Sequence, residues 1–144
     1  MHETRISRNR MGVLNNPYQD KHKKVLTVCS AGCLRSPTAA HILAGDPFNF
    51  NTRCCGTTVE YAIVPLNGGL VWWADEIIVM DEDQAAIVNS IQSKLYEDYV
   101  GFIFRAVHIL DIEDNYAYRD PELVKIMTDK FFKIFQADLR IENT

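Results

Sequence analysis

Short apolar runs alternate with segments of helical periodicity through most of the chain. The strand-like runs occupy residues 25–28, 51–55, 76–80 and 106–110. The helical patterns occupy residues 36–44, 67–73 and 81–93, and a final segment starts at Asp120. Strands that alternate with helices in this way predict a parallel sheet with helices packed on both faces.

The last helical segment has the clearest amphipathic pattern. Asp120, Pro121 and Glu122 are typical of a helix start, because aspartate is a good N-cap and proline fits the first turn. The apolar residues that follow fall on one face, and they are Leu123, Met127, Phe131, Ile134 and Phe135. This stripe predicts a helix that packs on the hydrophobic core.

The first apolar run ends in a cysteine that opens the most informative motif of the chain. Cys29 is followed after five residues by Arg35 and then by Ser36. Ser36 and Pro37 predict the start of the first helix, with the serine as its N-cap. A strand end, a glycine-containing loop and a helix N-terminus together form an anion-binding site. The predicted substrate-binding loop comprises Ser30, Ala31, Gly32, Cys33 and Leu34.

The residue types in this motif suit the attack of a thiolate on a phosphorus atom. An anion site favours the thiolate form of Cys29, and the Arg35 guanidinium can bind two oxygens of a phosphate. Five intervening residues let the backbone curl around a tetrahedral oxyanion, with the loop N–H groups as donors. Ser36 then donates a hydrogen bond to the thiolate. The alternative is that Cys29 is a buried structural thiol, as free cysteines often are.

Composition narrows the class of protein. The 144 residues are 47% hydrophobic and 24% charged, as expected of one ordinary globular domain. The net charge of −4 argues against nucleic acid as the main partner. No apolar stretch reaches the ~20 residues of a membrane span, and the first residues do not resemble a secretory signal. The adjacent Cys54 and Cys55 do not suggest a disulfide scaffold, so we expect a reducing, cytoplasmic location.

Residues 28–39 resemble the phosphate-binding loop of the low-molecular-weight protein tyrosine phosphatase family. The matching stretch reads Val-Cys-Ser-Ala-Gly-Cys-Leu-Arg-Ser-Pro-Thr-Ala. Looser similarity at residues 54–57 and 74–82 extends the resemblance over about residues 24–135. It implies a doubly wound α/β fold, a four-stranded parallel sheet flanked by helices. It also implies a phosphomonoester hydrolase that acts on phosphotyrosine proteins or other phosphomonoesters, without a metal or cofactor.

The first residues of the chain lie outside this resemblance. Residues 1–23 are polar and basic, and residues 15–20 are typical of turns. We therefore expect a flexible basic N-terminal arm over residues 1–23 and a phosphatase domain over residues 24–144.

The resemblance also implies a general acid near the last helix, in an aspartate-proline pair followed by tyrosine. Asp114-Asn115-Tyr116 keeps the distance to the helix and the tyrosine but has asparagine in place of proline. Asp120-Pro121 matches the pair literally, although helix capping by itself explains that pair. Asp114 is therefore the favoured acid, with Asp120 as the alternative, and Tyr116 is a candidate to line a slot for a phenyl ring.

These residues together imply a two-step hydrolysis. The Cys29 thiolate attacks phosphorus in line, while Arg35 and the loop amides hold the non-bridging oxygens. Asp114 protonates the departing phenoxide and then activates the water that hydrolyses the cysteinyl-phosphate.

The loop departs from the family pattern at two positions. Gly32 stands where the family usually has an asparagine that braces the loop, so the rigidity of the loop is an open question. Leu34 stands where many members have a second cysteine, and Cys33 lies one position earlier.

Other functions fit parts of the same motif. An arsenate reductase of related fold would use the same loop, but the chain has no cysteine after Cys55 for an internal redox relay. A module that binds phosphate or phosphotyrosine without turnover is a second alternative. A zinc site formed by Cys29, Cys33 and Cys54 or Cys55 is a third, with irregular ligand spacing.

Overall fold

A parallel four-stranded sheet forms the centre of the computed structural model, which describes residues 22–30, 35–58, 62, 64–112 and 120–142. The strands are β1 (Lys24–Cys29), β2 (Asn51–Gly56), β3 (Glu76–Val79) and β4 (Ala106–Ile109). They lie in the order β2-β1-β3-β4, with all neighbouring pairs parallel. β1 is therefore an inner strand with its carboxyl end in the middle of the sheet edge, where doubly wound sheets bind ligands.

Five helices in the described part of the chain flank this sheet. They are α1 (Arg35–Ala44), α2 (Gly68–Trp73), α3 (Glu82–Asp98), α4 (Pro121–Ile134) and α5 (Gln136–Glu142). None of the helices in the described ranges is both long and apolar enough to cross a membrane.

Alternate residues of the strands feed two separate hydrophobic clusters, one on each face of the sheet. Val25 and Ile78 pack with residues of α1 and α4 on one face. Leu26 and Ile77 pack with residues of α2 and α3 on the other. This arrangement confirms the predicted doubly wound α/β fold, a four-stranded parallel sheet flanked by helices.

The last long helix confirms the amphipathic pattern of the sequence. The Asp120 carboxylate accepts a hydrogen bond of 2.9 Å from the Glu122 N–H, and Pro121 occupies the first helical turn. The predicted core residues are wholly buried except Ile134, which is partly buried; the buried ones are Leu123, Met127, Phe131 and Phe135. Burial of each such side chain contributes about 1.5–3 kcal/mol, so this stripe anchors α4 to the sheet.

Two helix boundaries and one whole helix differ from the sequence-based expectation. α1 begins at Arg35, so the prediction that Ser36 is its N-cap is wrong. Ser36 lies in the first turn, where its hydroxyl group contacts side-chain and backbone groups of neighbouring strands. α3 continues to Asp98, five residues beyond the predicted end, because Leu95 in this extension still packs against the core. α5 was not predicted at all.

A network of charged side chains joins the amino ends of the strands to α5. Lys23 forms ion pairs with Glu76 of β3 and, at 2.8 Å, with Asp138 of α5. His108 Nε2 lies 2.7 Å from Glu76 Oε1. The hydrogen bond with His108, together with Lys23 and despite the opposing effect of burial, lowers the pKa of Glu76 from 4.5 to about 2.

Glu76 should make the protein sensitive to acid. Because its pKa is lower in the folded state, the Glu76 carboxylate stabilises the fold above about pH 4.5, and this contribution is lost as the pH falls toward 2. We expect Glu76→Gln to lower the free energy of unfolding at pH 6 by on the order of 1–3 kcal/mol and to have a much smaller effect near pH 2. Urea unfolding at both pH values measures this.

The matched control is Glu97→Gln, which changes an exposed glutamate of α3. It should leave the pH dependence of unfolding as in the wild type. Equal destabilisation by Glu76→Gln at both pH values would show that the ion-pair network does not set the acid response.

Candidate active site

The sulfur of Cys29 lies at the carboxyl end of β1, near the middle of that edge of the sheet. Cys29 is 3% exposed, and its Sγ is 3.2 Å from the Ser36 Oγ. This is a hydrogen-bonding distance for sulfur. The sequence predicted both the strand-end position of Cys29 and its contact with the Ser36 hydroxyl, and the structure brings the two groups together.

Ser36 is held in place from three sides. Its carbonyl accepts a hydrogen bond of 2.7 Å from the Thr27 hydroxyl, and its own hydroxyl donates to the Cys55 carbonyl at 3.3 Å. With Cys29 as a thiol, the S–H can donate to Ser36 while the serine hydroxyl points to Cys55. Once Cys29 loses its proton, the same hydroxyl can turn and donate to the thiolate.

Arg35 is the first residue of α1, and it is buried although it carries a charge. It is 3% exposed, and its Nη1 donates a hydrogen bond of 2.6 Å to the carbonyl of Ile112, just after β4. The Ile112 N–H in turn donates to the Met80 carbonyl at 3.0 Å. The guanidinium is thereby fixed between the first helix and the segment that leaves β4, and a buried guanidinium is best stabilised by an anion beside it.

The chain is also held tightly on the other side of the predicted loop. The Cys29 carbonyl accepts from the Thr57 N–H at 2.9 Å, and the Ser30 carbonyl accepts from the Thr58 N–H at 2.7 Å. The Ser30 hydroxyl accepts a hydrogen bond of 3.3 Å from the Gln84 side chain. Both ends of the loop are therefore anchored to neighbouring strands and helices.

Several predicted site residues lie outside the described residues. These are Ala31, Gly32, Cys33 and Leu34 of the loop, the candidate acid Asp114, and Tyr116. Asp120, the alternative acid, lies within them, and its carboxylate caps α4.

Solved structures of phosphatases share this architecture. Wzb of Vibrio vulnificus matches with a TM-score of 0.56 at 16% sequence identity, over 83% of this chain and 98% of Wzb. The Erwinia amylovora tyrosine phosphatase AmsI matches with a TM-score of 0.53 at 14% identity, over 74% of this chain and 85% of AmsI. The Bacillus subtilis arginine phosphatase YwlE matches with a TM-score of 0.50 at 17% identity, over 81% and 98%. The chain has the low-molecular-weight tyrosine phosphatase fold.

At the level of sequence, the likeness to these phosphatases is confined to short motifs. No protein-family profile matches the chain, and no curated protein sequence matches it. The low-molecular-weight phosphatase fold is therefore recognised here through the order of its strands and the position of the motif at the end of β1.

Two contributors to this phosphatase-fold site were not found from the sequence. The backbone carbonyl of Ile112 holds Arg35, and a carbonyl leaves no signal in residue type. The side chain of Gln84 contacts Ser30, and here a signal existed. Asp81 and Gln84 have the spacing of a helix capping box, and the Asp81 carboxylate accepts from the Gln84 N–H at 3.0 Å.

The remaining cysteines of the described chain lie in the interior. Cys54 and Cys55 are both buried. Burial, followed by the charges of Cys54 and Cys29, raises the pKa of the Cys55 thiol well above its usual value. The Cys55 side chain is therefore suited to packing in the hydrophobic core. Within the described ranges, no three side chains of His, Cys, Asp or Glu are grouped so that they could hold a metal ion.

A cavity of about 440 Å³ opens beside the Arg35 anchor, at the carboxyl edge of the sheet. Its lining is acidic, and the residues around it are Asp81, Glu82, Asp83, Ile109 and Asp111. Asp111 directly precedes Ile112, whose carbonyl holds the guanidinium. The cavity therefore borders the segment that anchors Arg35, and its carboxylates disfavour an anion within it.

Proposed function

We propose that this protein is a phosphomonoester hydrolase, a cysteine-dependent protein tyrosine phosphatase that forms a cysteinyl-phosphate intermediate. The observation that carries the proposal is the joint position of three side chains at the end of β1. The Cys29 Sγ lies 3.2 Å from the Ser36 hydroxyl, and the buried Arg35 precedes that serine in the first turn of α1. A structural role for Cys29 explains its burial but does not explain a buried, anchored arginine beside it.

In the first step, the Cys29 thiolate attacks the phosphorus atom on the side opposite the leaving oxygen. An S–P bond forms as the P–O bond to the leaving group breaks. The Ser36 hydroxyl stabilises the thiolate before attack. It does so again when the sulfur leaves in the second step.

Charge on the transferred phosphoryl group is balanced by Arg35 and by the N–H groups of the loop. The Ile112 carbonyl accepts from the Arg35 Nη1 and fixes the guanidinium, a planar group whose geometry suits two phosphate oxygens. Because this group is already fixed, it needs no reorganisation as charge develops in the transition state.

Asp114 supplies the proton that the leaving oxygen takes up. The carboxylate that results then accepts a proton from water as the water attacks phosphorus, and the S–P bond breaks to release inorganic phosphate. Asp114 follows Ile112 by two residues, so the segment that anchors Arg35 leads directly into the proposed acid.

Phosphotyrosine is the proposed substrate side chain. Among proteins of the same fold, Wzb was solved with benzylphosphonate, which carries an aromatic ring, and AmsI is a tyrosine phosphatase. YwlE is an arginine phosphatase and was solved as a cysteine-to-serine mutant with a phosphorylated active-site serine, which supports attack by the residue in the position of Cys29. Tyr116 is the candidate to contact the substrate ring.

Hydrolysis of p-nitrophenyl phosphate without added metal tests the proposal, and two matched variants test the acid. We expect Asp114→Asn to lower kcat by about 10²–10⁴-fold, because the leaving phenoxide loses its proton donor. Asp120→Asn removes the other candidate carboxyl but keeps helix capping, since asparagine caps as well as aspartate. It should change kcat by less than about threefold and leave the melting temperature nearly unchanged, on the same capping preference.

Other outcomes would redirect the assignment. A larger loss in Asp120→Asn than in Asp114→Asn would move the acid role to Asp120. Tight binding of a phosphotyrosyl peptide without any turnover would favour a binding module, and thiol consumption that depends on arsenate would favour a reductase. Faster release of phosphate from a phosphoarginyl than from a phosphotyrosyl peptide would change the substrate side chain.

A further inference from the structure

One buried glutamine connects the candidate phosphate loop to the helix that follows β3. Gln84 is 1% exposed. Its Oε1 accepts a hydrogen bond of 2.7 Å from the Met80 N–H, which fixes the amide group at the end of β3. Its Nε2 then points to the loop and donates to the Ser30 Oγ at 3.3 Å.

We propose that Gln84 is a positioning residue for the phosphate loop. It holds Ser30, the first residue after the nucleophile, so that the loop N–H groups keep the arrangement that binds a phosphoryl group. The inference rests on the proposed function for its effect on turnover, whereas its effect on the binding of inorganic phosphate stands independently.

The bonds around Ser30 show why a single side chain can have this effect. The Ser30 carbonyl is held from the β2 side by the Thr58 N–H, at 2.7 Å. The Gln84 amide holds the Ser30 hydroxyl from the side of α3. These two contacts hold Ser30 from the side of β2 and from the side of α3, and removal of the Gln84 contact leaves only the backbone bond.

The composition of the loop makes an external contact more important. Gly32 has no side chain with which to brace the loop, and glycine gives the backbone the widest conformational freedom. A loop of this composition depends on contacts from outside it, and Gln84 supplies one at its first residue.

The test compares Gln84→Met with a control on the same helix, Gln92→Met. Gln92 is also wholly buried, and its side chain accepts from the Arg105 N–H at 2.5 Å and donates to the Arg105 carbonyl at 3.2 Å. Those bonds lie at the start of β4, at the opposite edge of the sheet from Cys29. Both variants replace a buried amide by an apolar side chain of similar size, so both should lower the melting temperature.

The affinity for inorganic phosphate distinguishes a positioning role of Gln84 from a role in folding alone. It is measured in two ways: as competitive inhibition of p-nitrophenyl phosphate hydrolysis by inorganic phosphate, and as protection of Cys29 from iodoacetamide, with the alkylated residue identified by mass spectrometry. We expect Gln84→Met to weaken phosphate binding by about 3- to 10-fold, the range for loss of one hydrogen bond. Gln92→Met should match the wild type in both measurements.

Equal phosphate affinity in Gln84→Met and Gln92→Met would overturn the proposal and leave Gln84 as a purely structural residue. In a chain that binds phosphate but turns over no phosphomonoester, the alkylation assay still decides the role of Gln84, and the proposed function alone fails. The single variants Ser30→Ala and Gln84→Met and their combination form a double-mutant cycle for phosphate affinity. No further loss in the double variant supports the contact, and additive losses contradict it.

Gln84→Glu keeps the proposal testable where Gln84→Met does not fold. The glutamate oxygen can still accept from the Met80 N–H, so the tie to β3 is retained. The second oxygen replaces the Nε2 donor and brings negative charge next to the loop, and we expect weaker phosphate binding than in the wild type at pH 7. Phosphate binding equal to that of the wild type would contradict the positioning role.

Discussion

Replacement of Cys29 by serine is expected to lower kcat for p-nitrophenyl phosphate by at least about 10⁴-fold, as the loss of a catalytic nucleophile does in other enzymes. The serine hydroxyl occupies nearly the same volume and can still contact Ser36. It remains protonated at neutral pH, however, and is a far weaker nucleophile than a thiolate. The variant should therefore keep its fold, bind inorganic phosphate and form no cysteinyl-phosphate. Steady-state kinetics measure the loss of turnover, and a thermal unfolding curve shows whether the fold is kept.

The chain offers two matched controls for that experiment. Cys54→Ser and Cys55→Ser make the same chemical change in buried cysteines on the neighbouring strand. They should lower the melting temperature, because a hydroxyl is placed in an apolar interior, while kcat stays within a few-fold of the wild type. Undiminished turnover in Cys29→Ser would remove Cys29 from the mechanism.

Arg35→Lys is expected to lower kcat by about 10²–10³-fold, the usual result of removing a preorganised donor from an oxyanion site. Lysine keeps the positive charge but cannot hold two phosphate oxygens and the Ile112 carbonyl at the same time. The loss of the 2.6 Å bond to Ile112 should also release the segment that leads toward Asp114. Kinetics with p-nitrophenyl phosphate and a phosphate inhibition constant test both effects.

Arg53→Lys is the appropriate control for this substitution. Arg53 is a partly buried arginine of β2 whose guanidinium lies 4.3 Å from the centre of the Trp73 ring. Its replacement should reduce stability through the lost stacking contact, with turnover close to that of the wild type. An Arg35→Lys enzyme with unchanged kcat and phosphate inhibition would show that the guanidinium does not bind the phosphoryl group.

Much of the fold could be predicted because its signals are local. The strand from Glu76 is buried on both faces and is therefore apolar almost throughout, and Asp120-Pro121 marks a helix start by chemistry that acts within one turn. The alternation of such elements implies parallel strands. The same fold is found in phosphatases with only 14–17% sequence identity to this chain, for the three compared.

The errors came from positions where distant contacts decide the structure. Ser36 has the residue type of an N-cap but lies inside α1, where its groups bond to Thr27 and Cys55 on two strands. α3 continues past residue 93 because Leu95 packs against the core in the tertiary structure. No periodicity in the sequence specifies such partners.

The sequence by itself determined the chemistry offered at one strand end: a cysteine, five loop residues, an arginine and a serine in a spacing that suits a tetrahedral oxyanion. Only the tertiary structure decided how that chemistry is held. The Ile112 carbonyl that fixes Arg35 is 77 residues away along the chain, and the Gln84 amide that holds Ser30 is 54 residues away. Residue types record which groups are available, whereas the packing of β3, β4 and α3 against β1 determines which of them meet.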